Sequence, residues 1–431
     1  IEQAQQAPII AETLLQQPVR ASKAMVVSQE AQASRIGLEV LKKGGNAVDA
    51  AVAVGFALAV TLPRAGNVGG GGFMLVHLAK AGQDLAIDYR EIAPSSAKRD
   101  MFLDAQGNAD PKKSRDSGLA VGVPGTVAGM ELAYKKYGSG KIAWADLVAP
   151  AIALARNGIV VSEDLADSLP QAQPRLAAYP SSAKIFLKSD LSAPKSGDVL
   201  IQSDLAQTLD LIARYGAAGF YQGAVAEKIS AAVKSAGGEM SVADLAGYEA
   251  KIRKPVAGTY RGLSVLSMPP PSSGGVHVIE ILNMLEALPA SAVQAPNAQR
   301  LHYFIEAMKI AYADRAEYLG DPDFVKVPVA ALISKRYAAA RIKEIDADKA
   351  RPARDIKPGP VAPYESDQTT HFSILDEDGN AVANTYTLNF SYGLGMVAEG
   401  TGVMLNNELD DFAAKAGVPN GFGLVGGDAN A

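Results

Sequence analysis

The chain has 431 residues, of which 48% are apolar and 20% charged, with a formal net charge of −5 and no cysteine. This balance is typical of a soluble globular protein with a large core, and the negative charge argues against a nucleic-acid partner. Without cysteine there is no disulfide, thiolate metal site or cysteine nucleophile. The longest apolar run, residues 50–62, is shorter than the about 20 residues of a membrane span and predicts a buried helix.

The first part of the chain alternates helix and strand patterns. Residues 28–62 predict two helices, separated at Gly44-Gly45-Asn46. Residues 73–76 and 84–89 predict strands, and residues 126–137 have helical spacing. The glycine run at 69–72 fits no phosphate-loop spacing, so it indicates a close backbone approach.

The middle of the chain, residues 142–248, predicts several helices with polar connections. Residues 260–268 predict one strand, followed by helices over 276–288 and 301–318. Ser272 and Ser273 precede the first of these helices, where they either cradle an anion or simply cap the helix. Residues 343–368 contain four prolines among charges and predict an exposed, mobile linker of the kind where chain cleavage concentrates.

Two strand-like segments, residues 370–375 and 381–388, flank a turn and predict a hairpin. A three- or five-residue loop places Thr369 opposite Thr387, whereas a two-residue Asp378-Gly379 turn shifts the pairing by one. Alternation divides the side chains between two faces. The polar face holds Thr369, His371, Ser373, Thr385, Thr387 and Asn389, and the apolar face holds Phe372, Ile374, Val382, Tyr386 and Leu388. A solvated sheet face explains this polarity as well as a reactive site does.

The linker before the hairpin favours the reactive site. A threonine hydroxyl needs a base, and a free α-amine with a pKa of about 7.7–8.0 can serve as one. Cleavage between Gln368 and Thr369 would create that amine on Thr369. Thr387 would then orient the nucleophile, whereas parity places Thr370 on the apolar face.

Other catalytic patterns are absent or weak. No Gly-x-Ser-x-Gly segment occurs, and the four histidines include no His-Glu-x-x-His pair. Residues 376–379 fit a hairpin turn better than a calcium loop. Asp410 and Asp411, interpreted as neighbours on a strand, would point to opposite faces rather than form a glycosidase pair. We therefore expect no metal and no cofactor.

A series of motifs runs along nearly the whole chain in one order. They are Asn67-Val68-Gly69-Gly70-Gly71-Gly72-Phe73, Asp88-Tyr89-Arg90-Glu91, Val123-Pro124-Gly125-Thr126, Met268-Pro269-Pro270-Pro271-Ser272-Ser273-Gly274-Gly275, Tyr318-Leu319-Gly320-Asp321-Pro322, Gln368-Thr369-Thr370-His371 and Leu405-Asn406-Asn407-Glu408-Leu409-Asp410-Asp411-Phe412. With these residues the sequence resembles the bacterial γ-glutamyltranspeptidases of the N-terminal-nucleophile hydrolase superfamily.

The resemblance implies an α+β fold, a four-layer αββα sandwich. It implies that residues 1–368 are a large-subunit segment and residues 369–431 the start of a small-subunit segment. The two would form one intertwined domain, a heterodimer made by self-cleavage of one precursor. Thr369 would attack the Gln368 carbonyl and later carry the γ-glutamyl group of glutathione. Water, an amino acid or a dipeptide would release that group.

The resemblance also assigns site residues. Arg90 would pair with the substrate α-carboxylate, and its planar fork suits that group. Asn389, Glu408 and Asp411 would hold the α-carboxylate or α-amino end, and Thr387 would orient Thr369. Residues 413–427 match the family's lid loop, with Phe422 at the position of a gating aromatic.

Both ends of the sequence carry an expectation. The family continues beyond Ala431 with a Ser-Ser pair and a Gly-Gly oxyanion hole, so we expect these groups outside this sequence. Gly426-Gly427 is not that oxyanion site. The chain starts with Ile1 rather than methionine, which fits a removed export signal or a truncation. We expect a periplasmic or secreted protein.

Two rival functions remain. A glutaryl-cephalosporin acylase of the same superfamily uses the same chemistry, but its substrate lacks the α-amino group for which Glu408 and Asp411 argue. A noncatalytic binding protein would keep its chain intact.

Overall fold

The computed structural model describes residues 18–294, 297–357 and 369–423. Its helices are α1 (Ala31–Lys42), α2 (Ala47–Thr61), α3 (Pro111–Arg115), α4 (Thr126–Tyr137), α5 (Trp144–Asn157), α6 (Glu163–Ala177), α7 (Pro180–Phe186), α8 (Ser203–Tyr215), α9 (Ala218–Tyr221), α10 (Gly223–Ser235), α11 (Val242–Ala246), α12 (Gly274–Glu286), α13 (Ala290–Gln294), α14 (Ala298–Tyr318), α15 (Val329–Leu332) and α16 (Lys335–Arg341). Its strands are β1 (Met25–Val27), β2 (Gly71–Leu78), β3 (Gln83–Tyr89), β4 (Ile159–Val160), β5 (Val199–Leu200), β6 (Lys251–Arg253), β7 (Val256–Tyr260), β8 (Leu263–Ser267), β9 (Thr370–Leu375), β10 (Ala381–Thr387), β11 (Val397–Ala398) and β12 (Val403–Met404).

The largest sheet in the described part of the chain has six strands in the order β1-β9-β10-β2-β3-β6. All neighbouring strands in it are antiparallel. The β9–β10 hairpin therefore lies between two strands from the beginning of the chain. Residues on either side of the expected cleavage point share one hydrogen-bonded sheet.

Helix α2 forms the centre of the main core. Asn46 begins it with a capping box, in which its side chain and that of Asp49 satisfy each other's backbone N–H groups. Every residue of α2 is buried, and the helix packs on β9 and β10. The Tyr386 hydroxyl donates to the Gly55 carbonyl across this contact, at 2.8 Å. The predicted pair of helices and the buried apolar helix are both confirmed.

The hairpin has the longer of the predicted loops. Thr370 pairs with Tyr386 and Leu375 with Ala381, which leaves residues 376–380 as the loop. The Asp376 carboxylate accepts from the backbone N–H of Asn380 within the loop. It also accepts from the N–H of Ala47, at the start of α2. The alternative two-residue turn is wrong, because Asp376 stabilises the five-residue loop and anchors it to the helix.

The predicted strand 260–268 is present as β8 from Leu263, and its first residues form the turn of a hairpin with β7. Strands β7 and β8 are separated by Arg261 and Gly262, which both have positive φ. Glycine adopts that conformation without strain, so the chain reverses there. This hairpin packs on α12, whose neighbours α14 and α16 enclose a second core.

The predicted linker is exposed over most of residues 343–357, but part of it is held against the protein. Ile356 is only 1% exposed and belongs to the second core. The segment is also bound by hydrogen bonds, from Lys309 to the Arg351 carbonyl and from Arg341 to the Lys357 carbonyl. One apolar side chain and these backbone acceptors hold a proline-containing stretch against the protein. Residues 358–368, including Gln368, lie outside the described residues.

Helices cover one face of the six-stranded sheet. The other face carries the predicted polar group, in which the His371 ring lies 2.7 Å from the Thr385 hydroxyl and 3.1 Å from that of Ser373. One helical layer and one β layer of the expected sandwich are thus present in the described residues. None of the described helices combines the length and the apolar character required to cross a membrane.

Two carboxyl groups meet inside the second core. Glu280 on α12 and Asp314 on α14 are both fully buried. Asp314 accepts a hydrogen bond from the Tyr337 hydroxyl at 2.8 Å. Burial, and then the adjacent Asp314 carboxylate, raise the pKa of Glu280 far above its ordinary range. Glu280 therefore keeps its proton near neutral pH.

We predict that Glu280→Gln makes stability less dependent on pH. Glu280 keeps its proton in the folded protein but loses it above a pH of about 4.3 in the unfolded chain, so its contribution falls as pH rises. The loss approaches about 1.4 kcal/mol per pH unit between those two pKa values. Melting temperatures from pH 5 to 9 should fall less in Glu280→Gln than in the unaltered protein.

The exposed Glu317→Gln, on α14, is the matched control and should follow the unaltered protein. Parallel curves for all three proteins would show that Glu280 is ionised in the fold.

Candidate active site

The register of the sheet brings the proposed nucleophile and Arg90 to one edge. Thr370, Tyr386, Gly72 and Tyr89 are paired in a row across four strands. In the next row Thr387 pairs with Gly71, and Thr369 and Arg90 occupy the flanking positions. At about 4.8 Å per strand, the backbones of Thr369 and Arg90 are separated by about 14 Å.

The two threonines at the start of β9 have different surroundings. Thr370 is 1% exposed on the helix-covered face, as parity predicts. Thr369 is partly exposed and continues the polar face. The buried Thr387 hydroxyl accepts from the backbone N–H of Asn389 at 2.9 Å. One lone pair of this oxygen is thereby engaged, and the hydroxyl can donate its proton in a hydrogen bond to a group on the polar face.

Arg90, directly after β3, joins two carboxylates. Its Nη1 lies 2.5 Å from Glu408 Oε1, and its Nη2 pairs with Asp411 Oδ2. The sequence interpretation of residues 410–411 as strand was wrong, because Glu408–Asp411 is a 3₁₀ helix. Side chains at i and i+3 align in such a helix, so Glu408 and Asp411 face Arg90 together. Asp410 points away from Arg90. The sequence also predicted that Asp410 and Asp411 point in different directions, but from strand alternation rather than from a 3₁₀ helix.

The surroundings of Arg90 carry more acid than base. Glu408 is 4% exposed, and burial raises its pKa well above the ordinary value, although Arg90 opposes this. Burial also raises the pKa of Glu91 to about 7. These groups and Asp411 line one open cleft that encloses about 1060 Å³ including its mouth. A cationic ligand group is favoured there, because it would balance the surplus carboxylates. Sequence reasoning missed Glu91.

Asn67 fixes the backbone beside Thr387. Its Nδ2 donates to the carbonyls of Ala65 and Thr387, at 2.9 and 2.8 Å. Its Oδ1 accepts from the Gly70 N–H and the Thr126 hydroxyl. The buried amide thus has four partners. A Cβ at Gly70 would lie 2.1 Å from the Thr387 oxygen, which confirms the predicted close approach.

Two further asparagines hold the segment that carries the acids. Asn406 donates to the Gly69 and Gly122 carbonyls and accepts from the Glu408 N–H. Asn407 Oδ1 accepts from the Phe390 N–H at 3.2 Å. No local pattern in the sequence announces these roles, because their partners lie far along the chain.

The remaining predicted residues lie near this centre. Asn389 has a positive φ, and its Nδ2 donates to the Asn407 carbonyl at 2.9 Å. Phe422 is 7% exposed and stacks on Phe390, with ring centroids 4.3 Å apart. Ser273 precedes α12 without capping it and accepts from Arg315 Nε at 3.3 Å. No cluster of potential metal ligands occurs within residues 18–294, 297–357 and 369–423.

Comparison with known proteins decides the family. The family model "Gamma-glutamyltranspeptidase" matches residues 33–431. The chain belongs to the γ-glutamyltranspeptidase family. It is 53% identical to the glutathione hydrolase proenzyme of Escherichia coli, over 96% of this chain and 71% of that protein.

Solved structures of this family and its superfamily share the fold. The γ-glutamyltranspeptidase of Helicobacter pylori matches with a TM-score of 0.77 and 49% identity, over 81% of this chain and all of that chain. A cephalosporin acylase from Bacillus halodurans matches with a TM-score of 0.80 and 27% identity, over 98% of this chain and 77% of that one. The fold is the α+β fold of N-terminal-nucleophile hydrolases, as the resemblance implied.

We predict that Asn67→Ala destabilises the protein by about 2–4 kcal/mol, because it leaves buried N–H and C=O groups without partners at about 1–3 kcal/mol each. A thermal melt measures the loss. Asn108→Ala, in an exposed loop, is the control and should change stability little. Equal melting temperatures for the two variants would mean that water replaces the amide at no cost.

Proposed function

We propose that this protein is a γ-glutamyltransferase and glutathione hydrolase that acts through a γ-glutamyl ester on Thr369. The observation that carries the proposal is the shared sheet edge, where Thr369 and Thr387 lie in one row with Arg90. Arg90 brings Glu408 and Asp411 to the same edge. The arrangement provides a nucleophile, an orienting hydroxyl and a charged binding pocket.

The first reaction is self-cleavage. The Thr369 hydroxyl attacks the Gln368 carbonyl, and the peptide bond becomes an ester as the nitrogen takes up a proton. Water then hydrolyses the ester, which restores the hydroxyl and leaves the α-amine of Thr369 free. That amine is the base for later turnovers, since its pKa of about 7.7–8.0 lies near neutral pH.

The second reaction is transfer. The Thr369 amine takes the hydroxyl proton while Oγ1 bonds to the γ-carbonyl carbon of the donor. The departing amine leaves with that proton. Attack of water on the ester releases glutamate and restores the Thr369 hydroxyl. Attack by the amine of an amino acid or dipeptide instead forms a new γ-glutamyl amide. We propose that the Thr387 hydroxyl holds Thr369 in position during both steps, which its bond from Asn389 N–H supports.

The charges of the cleft support a glutamyl ligand. Arg90 is placed to receive the α-carboxylate through its planar fork, in competition with its own carboxylate partners. Glu408 and Asp411 would then turn to the α-ammonium. Asn389 lies beside them, and Phe422 belongs to the lid over the pocket.

We further propose that residues 1–368 and 369–431 remain together after cleavage as large- and small-subunit segments of one intertwined domain. The support is the position of β9 and β10 between β1 and β2, since separation would break two strand ladders. The proposed location is the periplasm or the cell exterior.

A second candidate function is removal of a glutaryl side chain from a cephalosporin. The likeness to the Bacillus halodurans acylase favours it. Against it stand the buried Glu408 and the half-exposed Asp411, which have no ammonium to bind in a glutaryl group. A noncatalytic binding role is disfavoured by family membership.

We predict that Thr369→Ala abolishes cleavage between Gln368 and Thr369 in the full-length protein. The variant lacks the attacking oxygen, so intact-mass measurement should find one uncut chain. Thr370→Val is the matched control, because Thr370 faces the helices, and it should be cut normally. Two normal fragments from Thr369→Ala would rule out self-processing by this residue.

We predict that the protein releases aniline from a γ-glutamyl anilide at least about 10–100 times more efficiently than from the glutaryl analogue. The analogue lacks the α-ammonium, and a hydrogen bond to a charged group is worth about 1.5–3 kcal/mol. Values of kcat/KM for the two substrates measure the difference. Asp411→Asn should reduce the ratio of kcat/KM between the γ-glutamyl and glutaryl anilides. A preference for the glutaryl compound would favour the acylase.

A further inference from the structure

Asp410 belongs to the 3₁₀ helix Glu408–Asp411, which we term the acidic turn, and it contacts the lid at Gly421. It is 2% exposed although it neighbours the half-exposed Asp411. The 3₁₀ helix directs Asp411 to Arg90 and Asp410 away from it. Family resemblance assigned no role to Asp410. Its burial therefore needs another explanation.

Both oxygens of the Asp410 carboxylate are engaged. Oδ1 accepts from the buried Ser114 hydroxyl of α3, at 2.6 Å. Oδ2 accepts from the backbone N–H of Gly421, at 2.8 Å. One side chain thus joins three segments that are distant in sequence or separated by a loop: α3, the acidic turn, and residues 413–423, which we term the lid segment.

The contact at Gly421 leaves no room for a side chain. A Cβ on Gly421 would lie 2.4 Å from Asp410 Oδ2 and 2.7 Å from the ring of Phe390. Only glycine allows the lid backbone to come this close. The next residue, Phe422, stacks on Phe390 with ring planes 10° apart. Asp410 and Phe390 therefore hold adjacent lid residues by a charged hydrogen bond and by ring stacking.

The far side of the lid segment is tied to the same part of the protein. Lys415 Nζ donates to the Gly107 carbonyl at 2.8 Å. Asn407 Nδ2 donates to the Arg115 carbonyl at the end of α3. These bonds support the surroundings of Asp410, and its bond to Gly421 is a direct side-chain link from the acidic turn to the lid segment.

We propose that Asp410 is a positioning residue, which latches the lid segment to α3 and so fixes the turn that presents Glu408 and Asp411. The proposal rests on the proposed function for its kinetic consequence. Its structural consequence, a closed lid segment, does not depend on the reaction.

The burial cost supports this assignment. Burial raises the pKa of Asp410 to about 6, while the Ser114 hydroxyl and the Gly421 N–H oppose the shift. A desolvated carboxylate is costly to the fold unless its hydrogen bonds stabilise something else. The lid segment is what these bonds hold.

Hydrogen exchange of the full-length protein tests the latch directly. In Asp410→Ala, residues 413–423 should exchange at least about tenfold faster, because a hydrogen bond to a charged group contributes about 1.5–3 kcal/mol. Exchange in β9 and β10 should stay unchanged. Asp167→Ala, an exposed acid on α6, is the control. Unchanged exchange of the lid segment would overturn the proposal.

Kinetics separate positioning from general damage. Asp410→Ala should raise KM for a γ-glutamyl anilide by about tenfold with a smaller change in kcat, because binding is loosened while Thr369 is untouched. Self-cleavage should proceed normally. Equal losses in self-cleavage and turnover would indicate a merely structural role and reject the latch.

Two further variants keep the test decisive if Asp410→Ala does not fold. Ser114→Ala removes one bond and Gly421→Ala obstructs the other, so each should accelerate exchange in the lid segment. Ser114→Ala should accelerate exchange little further when Gly421 is already replaced, since both substitutions act on the Asp410 carboxylate. Additive effects would contradict a shared latch. If the unaltered protein lacks γ-glutamyl activity, the proposed function fails while the exchange result still decides the latch.

Discussion

The pairing of β9 with β10, and of β10 with β2, determines where every reactive group of this site lies. A shift of one residue in either ladder would turn Thr369 and Thr387 into the helix-covered core and bring Thr370 out. Asp376 guards against that shift, because its carboxylate stabilises the five-residue loop and binds the first turn of α2. A loop far from Thr369 thus fixes the strand register and, with it, the face of the sheet on which the Thr369 side chain lies.

The same edge collects charge at a cost. Arg90 compensates Glu408 and Asp411, but Glu91 is buried with neither carboxylate oxygen hydrogen-bonded within the described residues. Such a group destabilises the fold when ionised, and its raised pKa expresses this. A pocket with surplus acid favours an ammonium group, although Glu408 and Asp411 must turn from Arg90 to reach it. The buried acids lower the stability of the fold, and in return the cleft has a negative electrostatic potential that favours the ammonium group of a zwitterionic ligand.

Local signals in the sequence predicted what depends on neighbours along the chain. The break at Gly44-Gly45-Asn46 separated α1 from α2, and alternation in the hairpin gave the faces of Thr369 and Thr370. Contacts between distant segments were beyond such reasoning. Arg90 meets Glu408 across more than 300 residues, and only the family resemblance placed both at one site. Asn67 and Asn406 carry no local signature of their contacts with distant backbone groups, the Thr387 carbonyl and the Gly122 carbonyl.

Where local reasoning was wrong, one residue decided the outcome. Proline-rich composition predicted an exposed linker, but Ile356 enters the second core while its neighbours Asp355 and Lys357 stay exposed. Gly262 reverses a chain that alternation alone would extend. At the site, the tight 3₁₀ turn replaced an expected strand and changed which acids act together. Strand geometry would separate Asp410 from Asp411 by face alone, whereas the turn aligns Asp411 with Glu408 and leaves Asp410 to bind Ser114 and Gly421. The turn thereby joins the proposed substrate pocket to the lid segment through consecutive residues, so the proposed latch would couple motion of the lid segment to the acids beside Arg90.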